Sequence, residues 1–158
     1  MQLAHLVVGM EHVRLRKLLA EQDNLVAGWQ LAAIGWNHAM TDHRVAHHGW
    51  RAIHRGVWTP QPGPLTQRQL WRAATLSAPG TWLNAYSAAN AYEFHLSKLG
   101  YETVVRIGNG GKRKFAGLLV SHSSTLDGHV GKKDGIAIVS PECSLIDIAA
   151  SLAHRRLA

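Results

Sequence analysis

The sequence predicts an α+β chain in two parts, and three observations carry that prediction. Apolar residues recur with helical spacing in several windows, and short alternating runs beside glycine read as strands. One proline-rich run, Thr59-Pro60-Gln61-Pro62-Gly63-Pro64, interrupts both patterns. Three prolines in five positions exclude helix and favour an extended linker. The 158 residues therefore divide into a first domain over 1–59, a linker over 60–64 and a second, α+β domain over 65–158.

In the first domain, Glu11 to Glu21 reads as a helix with Val13, Leu15, Leu18 and Leu19 as its apolar stripe. Asn24 to Val26 is a short extended link. A second helix runs from Trp29 to Ile34 and stops at Gly35, which suits a left-handed cap. Asn37 can cap a third helix from His38 to His48, ended by Gly49. At 100° per residue Thr41, Val45 and His48 share its inward side. Trp50 to Thr59 then alternates around Arg55-Gly56 as a β-hairpin does, with Trp50 and Trp58 read as packing residues. Three helices followed by a hairpin is the order of a winged helix-turn-helix, in which the third helix enters the DNA major groove and the hairpin rests on the backbone.

In the second domain, Thr66 to Ala78 is predicted helical through Leu70, Ala73, Ala74 and Leu76, and Pro79-Gly80 ends it. A strand is expected at Thr81 to Ala85 and a helix from a Ser87 cap to Leu99. Strands follow at Thr103 to Ile107 and Leu118 to His122, joined by a Gly- and Lys-rich hairpin turn, and another at Ile136 to Val139. Ser140-Pro141-Glu142 opens a last helix, with proline in its first turn and Leu145, Ile146, Ile148, Ala149 and Leu152 facing inward. Glu142 is read there as a helix-start charge and Asp147 as structural.

A formal charge of +7 and a pI near 10.1 suit a polyanionic partner. Seven of the eleven histidines precede Pro60, so the charge of that part grows as pH falls through about 6.5. The apolar stretch Leu3 to Met10 is far short of the roughly twenty residues that span a bilayer. With no signal-peptide pattern and a lone Cys143, the expected compartment is the cytoplasm.

The DNA-contacting candidates follow from these placements. On the third helix His38, Asp42, His43, Arg44 and His47 lie on or beside the outward face, with Ala46 among them. His and Arg can donate to guanine, alanine can pack on a thymine methyl, and Asp42 can accept from cytosine. In the hairpin Arg51, His54 and Arg55 alternate with apolar residues and suit phosphate contact. In the loop 108–114, Lys112, Arg113 and Lys114 add three consecutive cations, while the trailing Lys-Ser/Thr of a phosphate-binding loop is missing. His43 and His47 have zinc-ligand spacing, but no Cys pair or nearby Glu completes a set, so neither metal nor cofactor is expected.

Several phrases resemble the AbiEi antitoxin family of type IV toxin–antitoxin systems. They are Trp29-Gln30-Leu31, Gly35, Ile53-His54-Arg55-Gly56-Val57-Trp58, Ser87-Ala88-Ala89, and Val139-Ser140-Pro141-Glu142 followed by Leu145-Ile146-Asp147-Ile148-Ala149. The similarity is at motif level and spans nearly the whole chain. It implies a repressor that binds its own promoter and counters a nucleotidyltransferase-like toxin. Ala27 departs from the pattern, standing where relatives usually carry a Thr cap. The resemblance also admits the targeting portion of a Vsr-like endonuclease whose catalytic domain is absent, and a third reading is a protein-interaction module without DNA binding. No catalytic role is expected: there is no Glu-x-Lys and no Gly-x-Ser-x-Gly elbow, and Ser121, His122 and Asp127 make no triad by spacing alone.

Overall fold

A computed structural model of the chain describes the backbone of residues 2–156 and the side chains of residues 12–153. The fold class is α+β. Two units are present, Met1–Ala78 and Pro79–Ala158. The division therefore falls after the predicted linker, and the reason lies in the packing of the helix that follows the prolines.

The first unit contains α1 (Gln2–Glu21), β1 (Val26–Ala27), α2 (Gly28–Ala33), α3 (His38–His47), β2 (Arg51–His54), β3 (Val57–Thr59) and α4 (Gln67–Leu76). The strands form an antiparallel sheet in the order β1-β3-β2. Successive strand residues point to opposite faces, and here both faces are buried. Val26 and Trp58 join Leu15, Leu31, Trp36 and Trp50 on one side. Leu25, Ala27 and Val57 meet Ala73 and Leu76 of α4 on the other.

Polar contacts tie α4 down as well. Asp23 accepts from the guanidinium Nε of both Arg68 and Arg72 at 3.2 Å, and its carbonyl accepts from Gln69 at 2.9 Å. Thr66 and Gln69 form a reciprocal capping box at the start of α4. Arg51 donates to the carbonyls of Gln61 and Gly63, so the proline-rich run is a strap held against the hairpin.

Three expectations for this unit change. Helix α1 begins at Gln2 rather than Glu11, and the run before Glu11 contains no proline that would stop it. The side chains of its apolar stretch 3–10 lie outside the described residues. Val13 is exposed, since it sits about 200° around the helix from the buried Leu15. On α3 the inward arc is Met40, Thr41 and Arg44. Val45 falls on its outer edge, and His48 lies past the last helical residue.

The second unit contains β4 (Thr81–Leu83), α5 (Ala85–Ala91), β5 (Glu102–Ile107), β6 (Arg113–Phe115), β7 (Leu118–Ser123), β8 (Val130–Lys133), β9 (Ile136–Val139) and α6 (Pro141–Arg156). Its mixed sheet has the order β6-β7-β5-β4-β9-β8. Strands β5 and β7 are parallel, so the segment between them is a crossover to the edge strand β6 and not the predicted hairpin turn. The reversal comes at Gly117, with φ +74. A β8–β9 hairpin, unforeseen over 130–133, turns at Asp134-Gly135 with both residues left-handed.

Helix α5 is shorter than expected and starts earlier. Asn84 occupies its N-cap position, while Ser87 lies inside it, donating to Glu102 at 2.6 Å and accepting from the Thr103 N–H at 2.8 Å. Glu93 and His95, both with positive φ, break the helix before Leu99. On α6 the inward residues are Ser144 and Ile148, whereas Leu145, Ile146 and Leu152 are exposed, Ile146 by 67%. Helices α5 and α6 pack together through small buried side chains, Ala88, Ala89 and Ser144. Small residues allow close approach, and the Ser144 hydroxyl is satisfied by the Pro141 carbonyl at 2.7 Å. Asp147, read as structural, accepts from the buried Asn84 amide at 3.1 Å. The Glu142 carboxyl is held below its ordinary range by hydrogen bonds from its own backbone N–H and from Ser140.

Candidate nucleic-acid interface

The presentation of α3 is built residue by residue. Helix α2 ends in paired bonds: Gly35 N–H reaches the Ala32 carbonyl at 3.1 Å, and Trp36 N–H reaches that of Leu31 at 2.9 Å. This closure needs a left-handed residue at Gly35, whose φ is +92. It turns Trp36 into the core, where the indole stacks on Trp50 at 6.0 Å and 7°. One residue later the Asn37 side chain accepts the Met40 N–H at 2.9 Å and starts α3.

The start of α2 is secured differently. Ala27 has no hydroxyl, and Gln30 reaches back to accept its N–H at 3.0 Å. Gly28 donates to the Gly56 carbonyl at the hairpin tip at 2.8 Å. A Cβ on Gly28 would lie 3.1 Å from the Trp58 ring, so this close approach favours glycine.

Of the predicted contact residues on α3, His38, Asp42, His43 and His47 are exposed, with Ala39 and Ala46 between them. Arg44 is not on that face. Its guanidinium is half-buried, lies over the Trp36 ring at 5.6 Å and meets His12 Nε2 at 3.1 Å. A guanidinium only donates, so His12 is the acceptor. The His43 ring lies 4.6 Å from His47 and 5.3 Å from His48. His48 has its pKa lowered by partial loss of hydration and then by the charges of Arg44, His43 and His47.

Of the expected contact residues in the hairpin, only Arg55, at the turn, is exposed. Arg51 is engaged by the proline-rich strap, and His54 is buried, because a pairing irregularity between Ala52 and His54 reverses the expected alternation. In the second unit Lys112, Arg113 and Lys114 are exposed, and the Lys114 ammonium sits over the Tyr101 ring at 4.7 Å.

The sequence reading missed His12, which no local pattern connects to Arg44 thirty-two residues away. Among the described residues no group of three His, Cys, Asp or Glu side chains is arranged to hold a metal ion. No family model matches the chain, and no curated protein matches it.

Proposed function

We propose that the chain is a sequence-specific DNA-binding regulator whose first unit is a winged helix-turn-helix. The observation that carries this reading is the order α1-β1-α2-α3-β2-β3 with its β1-β3-β2 sheet, which leaves the outer face of α3 uncovered. That face offers His38, Asp42, His43 and His47 to base edges around two alanines, and Arg55 stands at the tip of the wing for phosphate. Lys112, Arg113 and Lys114 add backbone charge from the second unit. From the motif resemblance we extend the reading to an autoregulating antitoxin that acts in the cytoplasm on its own promoter and counters a nucleotidyltransferase-like toxin. No catalytic step belongs to this role.

The test is fluorescence anisotropy against duplexes tiling the DNA upstream of the chain's own coding region. His43→Ala is expected to weaken the preferred duplex by roughly tenfold or more and to relax its sequence preference, since a base contact contributes about 1–3 kcal/mol of discrimination. Arg55→Ala should weaken all duplexes alike and reduce the salt slope by about one. Unchanged affinity in both variants would remove this surface from consideration.

A further inference from the structure

Beside the outer face of α3 lies a cleft built largely from residues that the DNA reading does not use. Within the first unit, this cleft of about 420 Å³ is lined by His12 of α1, by Met40, His43 and Arg44 of α3, and by Trp36 and His48 at either end of α3. Its volume falls within the usual range for small-molecule pockets.

The chemistry of its walls is one-sided. Of the residues lining it, Arg44 carries a permanent positive charge, three are histidines, and none is acidic. The ion pairs described for this unit join Lys17 to Glu21 and Asp23 to Arg68 and Arg72, so none includes Arg44. Arg44 meets a neutral acceptor, His12, through one of its five N–H groups. A half-buried guanidinium in a hollow, with no counter-ion among the described residues, is a receptor for an anion. The pKa of His48 is depressed first by partial loss of hydration and then by the positive charges of Arg44, His43 and His47 around it. Apart from Asn37, the rest of the wall is apolar or aromatic: Met40, Ala39 and the Trp36 ring beneath Arg44. The buried Trp36 indole N–H has no acceptor among the described residues.

We propose that this cleft binds a small aromatic anion, a carboxylate or phosphate carried on a single ring, with the charged group on Arg44 and His48 and the ring against Met40 and Trp36. Arg44 supplies a planar donor edge that matches either oxyanion, and the apolar wall selects for a ring behind it. The cleft shares His43 and Ala39 with the DNA-facing side, whereas Arg44, His48, Met40 and Trp36 belong to it alone.

The test is calorimetric titration of the full chain, without DNA, using benzoate, phenyl phosphate, inorganic phosphate and phenol as probes, with the Trp36 indole N–H followed by NMR. Benzoate or phenyl phosphate should bind at least about tenfold more tightly than phenol and inorganic phosphate, and should shift the Trp36 resonance. Arg44→Gln and His48→Gln should each weaken that binding by about tenfold, while Arg44→Lys restores part of it. His48 is exposed, so His48→Gln carries the test if Arg44→Gln fails to fold. Equal binding of phenol and the aromatic anions, or unchanged affinity in the glutamine variants, would overturn the site. So would the absence of binding by any single-ring anion together with a loss of duplex affinity in Arg44→Gln, which would assign the cleft to a DNA phosphate.

Discussion

The two units dispose of their charge in opposite ways. In the first, the arginines are largely taken up by the fold: Arg68 and Arg72 grip Asp23, Arg51 holds the strap, and Arg44 rests on Trp36. What remains exposed on α3 is mostly histidine and alanine. In the second, carboxylates meet buried neutral groups, Asp147 the Asn84 amide and Glu102 the Ser87 hydroxyl, and cations stand on both edge strands, Arg113 and Lys114 on β6 and Lys132 and Lys133 on β8. Edge cations also discourage pairing with another sheet. A net charge of +7 therefore says little about where a polyanion would land. Each cation must first be tested for prior engagement.

The contrast can be broken most forcefully at Asp23. Asp23→Ala would take the shared carboxylate from both Arg68 and Arg72, the latter only 10% exposed, and should destabilise the first unit by about 2–3 kcal/mol in urea denaturation. An effect below about 0.5 kcal/mol would mean that the clasp is decorative, as surface pairs commonly are.

A smaller effect is expected from α6. Ile148→Ala should cost about 2 kcal/mol, and Ile146→Ala, on the exposed side, within about 0.5 kcal/mol. Equal costs would show that the exposed face of α6 is covered in solution.

The smallest effect belongs to His48, which holds less proton when folded than when unfolded. Its contribution to stability is present above the ordinary histidine pKa of about 6.5 and is lost as pH falls below it toward the depressed folded value. His48→Gln should flatten the stability profile in that window, as read from melting temperature against pH. A steeper profile in the variant would contradict the assigned direction.

Much of the first unit was legible because its signals are local. Gly35, the Asn37 cap and the Arg55-Gly56 turn each act within a few residues, and the structure contains all three. The allegiance of α4 was not legible, since nothing in Gln67–Leu76 announces that Ala73 and Leu76 will meet Leu25 and Val57. The same limit hid the parallel pairing of β5 with β7, which depends on a crossover around the sheet edge. Helix α6 misled through composition: hydrophobicity pointed to Leu145 and Ile146, while close approach to α5 selected Ser144. At the candidate site, exposure of His38, His43 and His47 followed from helical phase. The diversion of Arg44, Arg51 and His54 depended on tertiary partners and on a strand irregularity.

The strap formed by Pro60, Pro62 and Pro64 has a thermodynamic consequence. Proline fixes φ, so this stretch has little conformational freedom left to lose when α4 settles on the sheet. Helix α4 thus resembles a ligand on a short, stiff tether, presented to β1 and β3 at high effective concentration. Thr59 supplies the near anchor through its 2.7 Å bond to the Asn24 carbonyl, and the Asp23 clasp supplies the far one. Exchanging the prolines for a longer flexible run would keep the apolar contacts of α4 with the sheet and still dilute α4 from its own docking face.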